Sequence, residues 1–125
     1  MYCFRSLAEH ALGNRMIIDF HNHYFPPQYL DAIRDGGSHF RVTTDEEGNP
    51  VLHSPGDYNV LVPGHRDLDF REKVLDEAGV QMQVLTFTAP GTSIETPDRA
   101  VELCTVINDA FAGEIKARSS RFTAL

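Results

Sequence analysis

Met16-Ile17-Ile18-Asp19-Phe20-His21-Asn22-His23-Tyr24-Phe25-Pro26-Pro27 is the stretch on which the fold of this 125-residue chain turns. Its first five residues form a short apolar run rich in β-branched side chains, and the run is stopped by a proline pair. That pattern predicts a buried strand over about 16–21. On a strand, residues i and i+2 share a face. His21 and His23 are therefore expected side by side at the strand's C-terminal tip, where two imidazoles are the start of a metal site. The same spacing also suits two solvated or hydrogen-bonded loop histidines. Asp19 has the parity of His21 and His23. It is expected beneath them, either orienting a ligand or bonding to nearby backbone.

The pattern continues outward as alternating elements. Pro26 to Ile33 reads as a short helix opened by proline and closed by Gly36-Gly37. Phe40–Thr44 and Val51–His53 flank the turn-rich Asp45–Pro50, which predicts a β-hairpin over about 39–54. A looser stretch leads to Pro63-Gly64. Asp67 is a natural N-cap for a helix to Ala78, with Phe70, Val74 and Ala78 on one face, Leu75 beside them, and Gly79 as the stop. A second buried strand is expected over 80–87. A long helix follows from Thr96-Pro97 to about Arg118, with Ala100, Cys104, Ile107, Phe111 and Ile115 as its apolar face. Phe122 to Leu125 looks like the beginning of a third strand.

Strands alternating with helices imply a parallel α/β sheet. Histidines at a strand's C-terminal tip match the active face of a TIM barrel. A barrel needs eight strands and typically about 250 residues. The expectation is thus the N-terminal portion of a (β/α)8 barrel: two strands, the start of a third, and a hairpin insertion after strand one. Residues 16–125 form that partial domain. Residues 1–15 differ in composition and are expected to be an extension outside the sheet, with Met16 as the natural start.

Composition narrows the function. The formal charge is −7 and the pI about 5.2. No basic patch is available to follow a phosphate backbone, so nucleic acid is not an expected partner. Arg66, Arg71 and Lys73 lie among Asp67, Asp69 and Glu72 and read as a solvated helix face. No apolar run has membrane-spanning length, and the first fifteen residues lack the apolar region of a signal peptide. Cys3 and Cys104 belong to no CxxC pattern and fit a reduced, cytoplasmic chain. Cys104 is expected to pack as a small hydrophobe. His65, in the loop near Gly64, could approach the site, with the surface as the first expectation, and His10 and His39 have no argued role.

Several segments together resemble one family. Ile18 to Pro27 looks like the opening strand of the amidohydrolase-related family, in the branch that includes aminocarboxymuconate-semialdehyde decarboxylase. Asp67 to Val80, Gln83-Val84-Leu85-Thr86, Asn108-Asp109 and Arg121-Phe122 fit the same pattern. The resemblance spans about residues 16–125. It implies a distorted TIM barrel with a hairpin insertion, and a divalent metal, most often zinc, held by His21 and His23. The family's remaining metal ligands follow later strands, so no catalytic residue is argued within this chain, which alone is expected to be inactive. Family decarboxylases hold a substrate carboxylate with a hairpin arginine. The matching position lies near His53, and Arg41 on the partner strand is a substitute candidate. The resemblance implies a small-molecule substrate, either hydrolysed or decarboxylated, and a homodimer is an expected assembly of the full-length form. The competing expectation is a non-catalytic α/β interaction module that has lost the remaining ligands.

Overall fold

The computed structural model describes residues 15–125. The expected extension over 1–15 lies outside the described residues except for Arg15. Strand β1 (Ile18–Asp19) is followed by helix α1 (Pro27–Arg34), strands β2 (Arg41–Thr44), β3 (Pro50–Ser54) and β4 (Asp57–Val60), and helices α2 (Pro63–Arg66) and α3 (Leu68–Ala78). Strand β5 (Met82–Leu85), helix α4 (Pro97–Ala117) and strand β6 (Phe122–Ala124) complete the order.

β1, β5 and β6 form a parallel sheet in the order β1-β5-β6. Each parallel connection carries helices, as a crossover between parallel strands requires. The chain between β1 and β5 also carries a second sheet, the antiparallel meander β2-β3-β4. The expected hairpin is therefore three-stranded. β4 escapes a sequence reading because Asp57-Tyr58-Asn59-Val60 has no buried position and carries two polar residues among its four. Asp45 closes the first turn by accepting from the backbone N–H groups of Glu47 and Asn49 at 2.9 and 2.7 Å. These bonds, led by that from Asn49, hold its carboxyl below the usual aspartate range.

The core lies between the parallel sheet and the helices. Leu75, Leu85, Leu103, Ile107, Phe111 and Phe122 meet there with Tyr24, Phe25, Tyr29 and Leu30, and Phe40, Leu52 and Leu61 extend it under the meander. Tyr29 and Phe87 pack edge to face at 4.9 Å between ring centroids, a favoured aromatic geometry.

Helix ends follow local chemistry. The Asp67 carboxylate accepts from the Phe70 N–H at 3.0 Å, and Gly79 takes the left-handed conformation, φ 68°, that ends α3. Pro27 and Pro97 stand in the first turns of α1 and α4. The helix faces match expectation in part, with Leu75, Ile107 and Phe111 buried, and differ in the rest. α3 buries Leu68, Arg71 and Leu75, whereas Phe70 and Val74 are 43% and 45% exposed. α4 buries Leu103, Ile107, Ala110 and Phe111. Cys104 is exposed, not packed, and its sulfur lies 3.1 Å from the Thr92 hydroxyl. In both helices apolar side chains occupy two neighbouring stripes, and the sheet takes the stripe bearing the long leucines.

Candidate metal centre at the tip of strand β1

β1 is only two residues long, yet its continuation stays bound to β5. Ile18 pairs with Met82 and Asp19 with Gln83. His23 then bridges Thr86 in the parallel sense, and the Tyr24 N–H donates to the Thr86 carbonyl at 3.0 Å. Between the Ile18 and His23 pairings β1 runs five residues while β5, from Met82 to Thr86, runs four. One extra residue is accommodated, as in a β-bulge.

The bulge changes which side chains share a face. His23 shares the face of Ile18, because Thr86 and Met82 share one face of β5. Asp19 stands on the opposite face, with its partner Gln83. Equal parity for Asp19 and His23 is thus a correction to the sequence expectation: the period-two rule holds only along an unbroken strand. Asp19 Oδ1 accepts from the backbone N–H of His21 at 2.9 Å, and Oδ2 accepts from Gln83 Nε2 at 2.6 Å.

The two imidazoles lie side by side, with ring centroids 5.6 Å apart and planes inclined at 74°. Two imidazoles on one tetrahedral zinc, with Zn–N about 2.0–2.1 Å, place their centroids about 5 Å apart. The separation of the pair is close to that value. The Thr86 hydroxyl lies 3.3 Å from His23 Nδ1. Among the described residues no group of three or more His, Cys, Asp or Glu is arranged to hold a metal ion. A metal site normally has three or four protein ligands, and the imidazole pair offers two candidates.

His21, Asn22 and His23 open on a cleft of about 440 Å³. Its walls include His65, Phe70, Arg71, Val74 and Gln83. His65, expected on the surface, reaches this wall because α2 sets the preceding loop against the strand exit. Its carbonyl accepts from the Phe25 N–H at 2.8 Å, and its ring packs edge-on to Phe25 at 6.4 Å. Its Nδ1 is buried without a partner. Proline at the first position of a four-residue helix was the only signal in the sequence.

Arg71 was also misplaced by the sequence reading. Far from lying on a solvated face, it is 7% exposed. It stands three residues after Leu68 and four before Leu75, which is the spacing of a buried stripe. Its guanidinium donates from Nε to the Gly64 carbonyl at 2.9 Å, and from Nη1 to Asn22 Oδ1 at 2.7 Å and Gln83 Oε1 at 3.3 Å. Nη2 reaches the carbonyls of His23 and Gly64 at 2.6 and 2.5 Å. Burial pulls this guanidinium below the usual arginine range, with Tyr24 and Asp19 opposing. Tyr24 lies beneath it, ring centroid 5.7 Å from the guanidinium carbon. Burial, with Glu114 adding to it, pushes the Tyr24 hydroxyl up to about 12, and Arg71 works against that rise.

Arg41 and His53 face each other across β2 and β3. His53 Nε2 bonds the Thr43 hydroxyl at 2.7 Å, and its ring lies beside Tyr58 at 6.1 Å. On this face the meander carries Arg41, Thr43, His53 and Tyr58. The opposite face, with Val42 and Leu52, packs on the core. Neither Arg41 nor His53 lines the histidine cleft.

Neither a family model nor a curated relative matches the sequence. The fold does match solved structures. IDCase from Metarhizium anisopliae, in apo form, superposes with a TM-score of 0.74 at 18% identity, covering 92% of this chain and 35% of that one. A protein from Staphylococcus aureus assigned as an amidohydrolase superposes at 0.55, also at 18% identity, covering 89% of this chain and 28% of that one. The architecture is a portion of a (β/α)8 barrel. This chain spans about a third of the length of these structures. Among the described residues no helix is long and apolar enough to cross a membrane.

Proposed function

We propose that this chain is the first part of a metal-dependent enzyme of the amidohydrolase superfamily, with His21 and His23 as metal ligands. The observation that carries the reading is the imidazole pair, 5.6 Å between centroids, at the C-terminal end of the first parallel strand. That end is where barrel enzymes place their chemistry. The fold neighbours support the superfamily. The expected metal is zinc, and the expected setting is the cytoplasm.

When bound, such a metal acidifies water toward neutrality or polarises a substrate oxygen. The residues of this chain would present two neutral imidazole nitrogens to it. Thr86 would keep His23 Nδ1 engaged, so that Nε2 faces outward. Phe70 and Val74 would exclude water from one wall of the cleft. The substrate class that suits the reading is a small carboxylated or cyclic metabolite, hydrolysed or decarboxylated without an oxidant. Arg41 and His53 enter it only as candidates for holding a carboxylate from the meander.

Calorimetric titration with zinc tests the ligand assignment. Two imidazoles give weak binding, which the combined His21→Ala and His23→Ala substitutions should abolish. Equal binding by the wild type and the double variant would refute it. The reading frame beyond Leu125 tests the enzyme: further His and Asp residues at the ends of later strands are expected. The lack of a three-ligand cluster among the described residues favours a second reading, a non-catalytic α/β module. A stop codon directly after Leu125 together with absent zinc binding would select it.

A further inference from the structure

We propose that Arg71 is the positioning residue of the His21–His23 site. Its guanidinium, anchored in α3, sets the strand tip that carries the two imidazoles. The inference rests on the metal reading above, and it concerns how the pair is held.

The strand itself cannot supply that rigidity. Regular pairing stops at Asp19, and the bulge leaves only the His23–Thr86 bridge beyond it. The gap is spanned by polar bonds, among them the His21 N–H to Asp19 Oδ1 and the Thr86 hydroxyl to the Asn22 carbonyl, and the largest group of them centres on one side chain. Arg71 donates to the His23 carbonyl and to Asn22 Oδ1. It therefore grips both residues that follow His21. The Asn22 amide in turn donates to the Val84 carbonyl at 3.0 Å, which ties the tip to β5. Two further bonds run to the Gly64 carbonyl, fixing the residue next to His65. A third anchor is Gln83, whose amide also holds Asp19.

The chemistry of this cluster needs a guanidinium. The acceptors lie in different directions around one plane, and arginine presents five N–H donors in a rigid fork. A lysine ammonium has three donors at a single point. It keeps the charge and cannot reach the His23 and Gly64 carbonyls and Asn22 together. A buried cation is normally paired with a carboxylate, because desolvation otherwise disfavours it. Here the acceptors in direct contact are carbonyl and amide oxygens, and Asp19 is reached only through Gln83. Such an arrangement organises backbone at close quarters, in the way that outer-shell groups fix metal ligands.

The test uses the full 125-residue chain as wild type, Arg71→Lys, Asn22→Ala, and the double histidine variant. Cobalt(II) is the probe, titrated by visible absorption. The ring resonances of His21 and His23 are recorded in metal-free protein, and thermal midpoints are measured in parallel. Arg71→Lys should weaken cobalt binding 10- to 100-fold at a temperature well below its midpoint, and it should shift both imidazole resonances. Asn22→Ala removes one of the Arg71 contacts together with the amide's bonds to the Val84 and Asp19 carbonyls, and leaves α3 intact. It should weaken binding by a smaller factor, and it decides the matter if Arg71→Lys does not fold. Binding within twofold of wild type and unshifted rings in the folded variants would overturn the inference, even if midpoints fall. If the wild type binds no cobalt, the metal reading fails. The ring resonances alone then judge Arg71: a shift in Arg71→Lys supports the positioning role and its absence refutes it.

Discussion

The hydroxyl of Tyr24 shows how one buried group shapes the pH response of the molecule. Its pKa stands at about 12 in the fold against 10 in a free side chain. The folded value is the higher, so the folded chain retains its proton where the unfolded chain releases it. Stability from this group is fully present below pH 10 and is lost as pH rises toward 12. The full loss is on the order of 2–3 kcal/mol. Tyr29, also raised chiefly by burial, adds in the same direction. Urea midpoints measured between pH 9 and 11.5 should fall steadily, and Tyr24→Phe should flatten the slope. An unchanged slope in that variant would show that Tyr24 ionises normally in the fold. The imidazole pair is legible in the sequence, since the H-x-H spacing and its proline stop are explicit there. Arg71 was not, because its charged neighbours at Asp69, Glu72 and Lys73 mask a position that geometry buries.

At the level of elements, the reading of type and order succeeded where chemistry is local. Asp67 and Gly79 bracket α3, and Pro97 opens α4. Asp67→Ala should cost about 1 kcal/mol by loss of the cap, which a denaturant midpoint will register. Faces were harder, since the choice between adjacent apolar stripes is made by the partner layer. In α4 that choice is testable with two substitutions one residue apart. Leu103→Ala should destabilise by about 2–5 kcal/mol, while Cys104→Ala should stay within about 0.5 kcal/mol. The reverse ranking would mean the helix packs on the stripe through Cys104. The bulge in β1 and the strand Asp57–Val60 have no local signal. The first is set by pairing with Thr86 and the second by pairing with β3.

For the molecule as a whole, several exposed apolar side chains lie beside β1 and on α3. Met16 and Phe20 are each 65% exposed, and Ile17 lies 46% exposed near Gly79 at the end of α3. Phe70 and Val74 continue the exposure on that helix. A strand at the sheet edge among the described residues, beside apolar side chains, favours association with other chains. Light scattering should show concentration-dependent association of the 125-residue chain, reduced in a Phe70→Lys, Val74→Glu variant whose melting temperature is little changed. Undiminished scattering would place the association elsewhere. The meander inserted between β1 and α3 carries a different consequence, in the order of assembly. Asn22 and Arg71 are separated by 49 residues, so their meeting requires closing a long loop. The strands β2, β3 and β4 pair over short separations and shorten that loop once formed. Pairing within the meander should therefore precede the tip contacts along the folding route. Substitutions at Val51 are then expected to slow refolding, and those at Asn22 to hasten unfolding instead. Stopped-flow kinetics would read this as a clock: the histidine tip keeps the last time.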